Sequence, residues 1–134
     1  MEKESEKNYF YVKPDKVVDL SFSEIEDVTL IKTKIENEGL KIQKYWKSIK
    51  LNNNKILSLN SFEHSISSLK LDPTQIVWLD LSCNKIEAIE NVFLNFVSLK
   101  SLNLHGNNLS KIGQIKQFSS HKNMRSMTLH GNPF

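Results

Sequence analysis

Two histidines, each in a His-Gly-Asn tripeptide, are the side chains best suited to bind a metal ion. His105 and His130 occupy the same place in successive copies of a longer repeat, so neighbouring strands should bring their imidazoles within reach of one another. Asp80 and Ser82 are conceivable further ligands. A structural zinc site uses four ligands, and two imidazoles are too few to form one. We therefore predict no metal site.

The sequence also lacks a convincing set of residues for covalent catalysis or phosphate binding. Cys83 is the single cysteine and lies beside a turn, where we predict a packed thiol rather than a nucleophile. The four glycines, at 39, 106, 113 and 131, show neither of the common phosphate-loop spacings. The sequence therefore predicts no catalytic residue, no cofactor and no enzymatic activity.

An internal repeat must position these side chains. Four segments fit the pattern L-x-x-L-x-L-x-x-N-x-L, with apolar residues at places 1, 4, 6 and 11 and asparagine at place 9. The segments begin at Trp46, Ile76, Leu99 and Met124, and their asparagines are Asn54, Asn84, Asn107 and Asn132. Every constrained place is filled in all four segments. This pattern is diagnostic of leucine-rich repeats.

The pattern predicts a stack of short parallel strands. Places 4 and 6 point into the core, whereas places 3, 5 and 7 face outward. The asparagine at place 9 turns the chain inward and satisfies backbone groups that the turn leaves unpaired, which predicts a structural asparagine ladder. Apolar spacings of three and four after each turn predict short helical limbs. The expected fold is an α/β leucine-rich repeat solenoid. Its parallel concave sheet should have about four repeat strands, with short helical or 3₁₀ convex limbs and an N-terminal cap.

The chain divides into three predicted parts. Residues 1–16 form an N-terminal arm with Tyr9, Phe10 and Tyr11, which either folds back on the solenoid or becomes ordered on a partner. Residues 17–45 form an N-terminal cap or degenerate repeat, and residues 46–134 form four repeats, the last one truncated. Because a terminal repeat needs a cap, we expect a partner or further sequence to cover the C-terminal edge. We also expect the isolated chain to self-associate.

The composition constrains the cellular compartment and the classes of partner. The net charge is +3, without a basic run, so we predict no nucleic-acid partner. No apolar run approaches the roughly 18 residues that cross a bilayer, so we predict no membrane partner. One cysteine and a charged start without an apolar segment indicate a reducing, intracellular compartment.

The outward-facing side chains are the remaining candidates for function. Lys50 and Asp80 lie at place 5 of adjacent repeats and are expected to pair. Trp78 is the one large residue at place 3, and it is either a hot spot for a partner or partly shielded by the long first loop. The predicted partner-binding residues are Trp78, Lys50, Asp80, Asn103, His105, Thr128 and His130 on the sheet, with Tyr9, Phe10 and Tyr11 on the arm.

Several segments resemble the leucine-rich-repeat-containing protein 51 family. They are Ser-Ile-Lys-Leu-Asn-Asn-Asn at 48–54, Trp-Leu-Asp-Leu-Ser at 78–82, Leu-His-Gly-Asn at 104–107, Ser-Met-Thr-Leu-His-Gly-Asn-Pro at 126–133 and Asp-Leu-Ser-Phe-Ser at 19–23. The resemblance covers residues 17–134, and family members continue past the position of Phe134 into a cap-like tail.

The resemblance implies a small, non-catalytic, cytoplasmic protein of ciliated cells. It thus implies a protein-interaction scaffold or adaptor that is a microtubule-associated component of the ciliary axoneme, with tubulin or other axonemal proteins as partners. Short-limbed repeats are also similar to phosphatase-regulatory and dynein-associated repeat proteins. A soluble regulator that binds a signalling enzyme such as a phosphatase is therefore the alternative.

Overall fold

The computed structural model of the chain describes residues 17–134. Its strands are β1 (Val17–Asp19), β2 (Ser48–Lys50), β3 (Trp78–Asp80), β4 (Ser101–Asn103) and β5 (Ser126–Thr128). Its α-helices are α1 (Ile31–Asn37) and α2 (Phe62–Ser68), and its 3₁₀ helices are Val28–Leu30, Pro73–Gln75 and Ile112–Ser120. None of the helices in this part of the chain is long and apolar enough to cross a bilayer.

The strands form one parallel sheet in the order β1-β2-β3-β4-β5. Equivalent places of the repeat lie side by side, so that Ile49 pairs with Leu79 and Leu79 with Leu102. The predicted α/β leucine-rich repeat solenoid is confirmed. The sheet has a fifth strand beyond the four predicted repeat strands because residues 17–19 also pair with β2.

A single apolar core lies beneath the sheet. The place 6 leucines Leu51, Leu81 and Leu104 are 0% exposed, and Leu129 is partly buried against the same cluster. The strand alternation explains this arrangement, because places 4 and 6 lie on one face and place 5 lies on the other. The predicted continuous interior is therefore present, and it thins at β5.

The limbs that return from each strand differ in structure. α2 buries Phe62 and Ile66, and it ends before the sequence Asp72-Pro73, where the next 3₁₀ helix begins. The limb between β3 and β4 is made of turns, and its buried Phe96 ring stacks on Phe62 at 5.7 Å between centroids. In the last limb the 3₁₀ helix buries Phe118, whereas Ile112 at the start of the same helix is exposed.

The N-terminal segment closes one end of the core. Val18, Leu20, Ile25, Val28, Ile31 and Ile35 are buried there. Among the neighbouring apolar residues, Phe22 is 73% exposed and Leu30 is 51% exposed. Phe22 has a φ of 53°, so it lies in the turn after β1, where the in-and-out alternation of a strand no longer applies. Residues 1–16, with Tyr9, Phe10 and Tyr11, lie outside the described part of the chain.

Candidate protein-interaction face of the sheet

The asparagines at place 9 join each repeat to the one before it. The Asn107 side-chain oxygen accepts a hydrogen bond from Ile86 N at 3.0 Å, and its amide donates to Leu81 O and Leu104 O at 3.0 Å. Asn54, Asn84 and Asn132 make equivalent bonds to the preceding repeat and to their own turn. These bonds satisfy backbone groups that the turns would otherwise leave unpaired. They hold the strands, and thus the outward-facing residues, in register.

Place 8 of every repeat has a left-handed backbone. The residues are Phe22, Asn53, Cys83, Gly106 and Gly131, with φ between 53° and 72°. Cys83 in this turn is exposed, so the prediction of a packed thiol is wrong. The physical reason is that the left-handed turn directs the side chain at place 8 away from the core.

The side chains at place 5 form a row across all five strands. The row is Asp19, Lys50, Asp80, Asn103 and Thr128. Lys50 Nζ lies 3.9 Å from Asp19 Oδ2, so the expected Lys50–Asp80 pair is replaced by a Lys50–Asp19 pair. The expectation was wrong because it did not include β1, in which the Asp19 carboxylate lies on the other side of Lys50.

A serine two residues downstream holds each aspartate of this row in place. Asp19 Oδ1 accepts from Ser21 N at 3.0 Å and Ser21 Oγ at 2.6 Å, and Asp80 Oδ1 accepts the same pair of bonds from Ser82. Partial burial raises the pKa of Asp19. The Ser21 hydrogen bonds and the Lys50 charge outweigh this effect, so the pKa lies below its usual value. The Asp-Leu-Ser sequence, present at both 19–21 and 80–82, was the available signal for this arrangement.

Trp78 lies in the place 3 row between two serines. It pairs with Ser48 on one side and Ser101 on the other. Both serines are buried, and Trp78 itself is half-buried. The outer face therefore carries a fixed, partly accessible aromatic residue beside the charged end of the place 5 row.

The two histidines meet at the other end of the sheet. The rings of His105 and His130 stack with centroids 4.6 Å apart and planes 6° from parallel, as their shared place predicted. His105 Nδ1 lies 2.7 Å from Thr128 Oγ1, which fixes the orientation of the ring. Among residues 17–134 no group of three or more His, Cys, Asp or Glu side chains is arranged to hold a metal ion. The two imidazoles therefore form a stacked polar pair on the outer face.

Two glutamines stabilise the limbs and were not predicted. Gln117 Oε1 accepts from Phe93 N at 2.9 Å, and its amide donates to Ile89 O at 2.6 Å. Gln114 Oε1 accepts from Ile89 N at 2.8 Å. These bonds tie the 3₁₀ helix Ile112–Ser120 to the preceding limb. No signal could have revealed them, because the limbs do not share a common pattern.

Comparison with known proteins agrees with this architecture. The family model Leucine Rich Repeat matches residues 98–118. Leucine-rich repeat-containing protein 51 of Bos taurus is 40% identical over 86 residues, which cover 64% of this chain and 45% of that protein. The Rattus norvegicus protein of the same name is 34% identical over 123 residues, or 87% of this chain and 64% of that protein. This chain thus spans 45% to 64% of the length of these two relatives.

A solved structure supports the fold alone. The Chaetomium Mex67:Mtr2 subunits match with a TM-score of 0.58 at 19% identity, over 87% of this chain and 82% of that chain. Identity this low carries no functional argument. From the repeat pattern, the five-stranded sheet and the sequence relatives, we conclude that this chain is a leucine-rich repeat protein homologous to leucine-rich repeat-containing protein 51.

Proposed function

We propose that this chain is a non-catalytic interaction scaffold whose outer sheet face binds a partner protein. The observation that carries the proposal is a set of outward side chains, none needed for the core, held in fixed positions. These contact residues are Trp78, Lys50, Asp80, Asn103, His105, Thr128 and His130. A preformed face loses little conformational entropy on binding, so modest contacts suffice.

Two further contact regions belong to the proposal. The predicted N-terminal arm contributes Tyr9, Phe10 and Tyr11, which precede β1 in the sequence. At the C-terminal edge, Met127 and Leu129 are partly buried, whereas the equivalent Leu102 and Leu104 are 0% exposed. A partner or further sequence that covered β5 would remove this apolar surface from water.

The cellular setting that we propose is the cytoplasm and the ciliary axoneme, with tubulin or another axonemal protein as the partner. The support is the sequence resemblance to the leucine-rich-repeat-containing protein 51 family. A tagged full chain in ciliated cells should stay with the microtubules after detergent extraction. Release into the soluble fraction would contradict the axonemal setting and favour a soluble regulator of a signalling enzyme.

A matched pair of variants tests the outer face. The tagged chain is crosslinked in ciliated cells and affinity-purified, and the amount of partner recovered with it is measured. Trp78→Ala should recover much less partner than the unaltered chain, because it removes the only aromatic side chain in the place 3 row. Tyr45→Ala is the control, since Tyr45 is an exposed aromatic residue outside the strands. Deletion of residues 1–16 tests the arm in the same assay. Unchanged recovery with both Trp78→Ala and the deletion would overturn these two contact sites.

A further inference from the structure

A groove crosses the limbs, away from the sheet. It consists of two depressions of 460 Å³ and 420 Å³ that meet at Leu57, Ser58 and Asn60, which line both. No strand residue lines either depression. We call this feature the limb groove.

One exposed leucine, Leu57, lies at the middle of the limb groove beside the polar residues Ser58 and Asn60. Leu57 is 52% exposed as a residue, while its neighbour Ile56 is 0% exposed and anchors the segment in the core. Leu57 O accepts a hydrogen bond from Glu87 N at 3.3 Å, so the next repeat holds its backbone. Leu57 therefore offers an immobilised apolar contact at little further cost in entropy.

Carboxylates lie on both sides of Leu57. Glu26 and Asp27 line one depression, and Glu87 and Glu90 line the other. Among the lining residues one ammonium group, Lys111, accompanies these four carboxylates, which leaves three net negative charges in the lining of a chain whose net charge is +3. Lys55 adds a positive charge near Glu26, and it is paired with Glu24 at 2.6 Å.

Two details define the acidic part of the limb groove. Hydrogen bonds from Thr29 N and the Thr29 hydroxyl hold the pKa of Asp27 below its usual value, so this carboxylate is charged at neutral pH. Past Glu90 a further depression is lined by Lys111 and Lys116, and the acidic section ends there.

We infer that the limb groove binds an extended segment of a partner protein in which an aliphatic side chain is flanked by lysine or arginine residues. The aliphatic side chain would cover Leu57, and the flanking cations would lie against the carboxylates on either side. Charge complementarity specifies this occupant, because an acidic or neutral segment would leave the carboxylates without counter-charges. The inference adds a docking surface on the limbs to the contact regions proposed above.

A labelled peptide tests the inference on the full chain. The probe is a fluorescein-labelled peptide with one leucine between two pairs of lysines, and its counterpart has glutamate in place of every lysine. Fluorescence anisotropy should show binding of the lysine peptide that weakens as salt rises, and weaker binding of the glutamate peptide. Leu57→Ala should weaken the lysine peptide about fivefold or more, and Glu87→Lys with Glu90→Lys should weaken it further.

The chain offers matched controls for both variants. Leu94 is 45% exposed and lies outside the limb groove, so Leu94→Ala should leave binding unchanged. Glu36→Lys with Glu38→Lys makes the same charge change at the C-terminal end of α1 and should have a much smaller effect than reversal in the groove. Equal binding of the two peptides, or equal losses in the control and groove variants, would overturn the inference. Trp78→Ala should not affect this peptide, so a failure here is distinguishable from a failure of the outer-face proposal.

Discussion

At place 9 one side-chain amide serves two neighbouring repeats. Asn107 bonds to the backbone of its own turn and to Ile86 and Leu81 of the repeat before it. Only a side chain with both an acceptor and a donor makes this set of bonds. Its loss therefore leaves several buried backbone groups without partners, which costs more than the loss of an exposed contact.

We predict that Asn107→Leu lowers the free energy of unfolding by about 2–4 kcal/mol. Asn103→Ala, in the outer place 5 row, should change it by no more than about 0.5 kcal/mol. Urea unfolding followed by circular dichroism gives both values. A larger effect for Asn103→Ala than for Asn107→Leu would show that the asparagine ladder is not the main stabilising feature of the turns.

We predict that Asp19 contributes to stability at neutral pH and that this contribution is lost in acid. Its pKa in the folded chain is lowered from the usual value, so its contribution is present above about pH 4, where an unfolded aspartate titrates. The contribution is lost as the pH falls through the lower folded pKa. Asp19→Asn should therefore reduce the melting temperature at neutral pH, and the difference from wild type should shrink in acid.

The size of this effect is limited by solvent. The Asp19 side chain is 55% exposed, so the difference at neutral pH should stay below about 1 kcal/mol. Thermal melts at several pH values measure it, with Glu36→Gln on α1 as the control for simple loss of a carboxylate. A difference from wild type that stayed constant with pH would exclude the ionised carboxylate as the cause.

At the scale of elements, the strands are short and their turns are restrictive. Gly106 follows β4 with a φ of 70°, and a β-carbon there would lie 3.1 Å from Cys83 Sγ of the preceding turn. Gly113, in the last limb, has nothing within 4 Å of the same added atom. The left-handed backbone and the close contact therefore require glycine at 106, whereas neither applies at 113.

Gly106→Ala should lower the free energy of unfolding by about 1–2 kcal/mol, because it combines a left-handed backbone with a close contact. Gly113→Ala should leave it unchanged or raise it by up to about 1 kcal/mol, since alanine restricts the unfolded chain. Chemical denaturation of the two variants tests this. Adding Cys83→Ala to Gly106→Ala should restore only part of the loss, because the left-handed backbone remains. Equal effects at the two glycines would contradict the role assigned to the turn.

The elements also show why some features were predictable and others were not. The strands, the core leucines and the asparagine bonds follow from the repeat, because each place lies on the same side of the chain in every copy. The ion-pair partner of Lys50 was not predicted, because Asp19 lies in a segment without the place 9 asparagine that marks the other repeats. The limb groove and the bonds of Gln117 depend on limbs of unequal length and different structure, for which the repeat contains no information.

For the whole molecule, stability should vary along the stack. Each repeat contacts mainly its neighbours, so an inner repeat has two packed faces and a terminal repeat has one. Leu81 in β3's repeat is 0% exposed, whereas the equivalent Leu129 is partly buried. The same side chain at the same place therefore has two different environments.

We predict that Leu81→Ala lowers the free energy of unfolding by about 2–5 kcal/mol, since it opens a cavity in the closed part of the core. Leu129→Ala should cost less than about 2 kcal/mol, because solvent already reaches that site. Urea midpoints report the two values, and hydrogen exchange should show faster exchange at β5 than at β3 in the unaltered chain. Equal losses for the two leucines, with equal protection of β3 and β5, would mean that the last repeat is as fully packed as the inner ones in solution. Self-association through the β5 edge would also make the two losses and the two protections equal. In that case the equality would disappear when the protein is diluted.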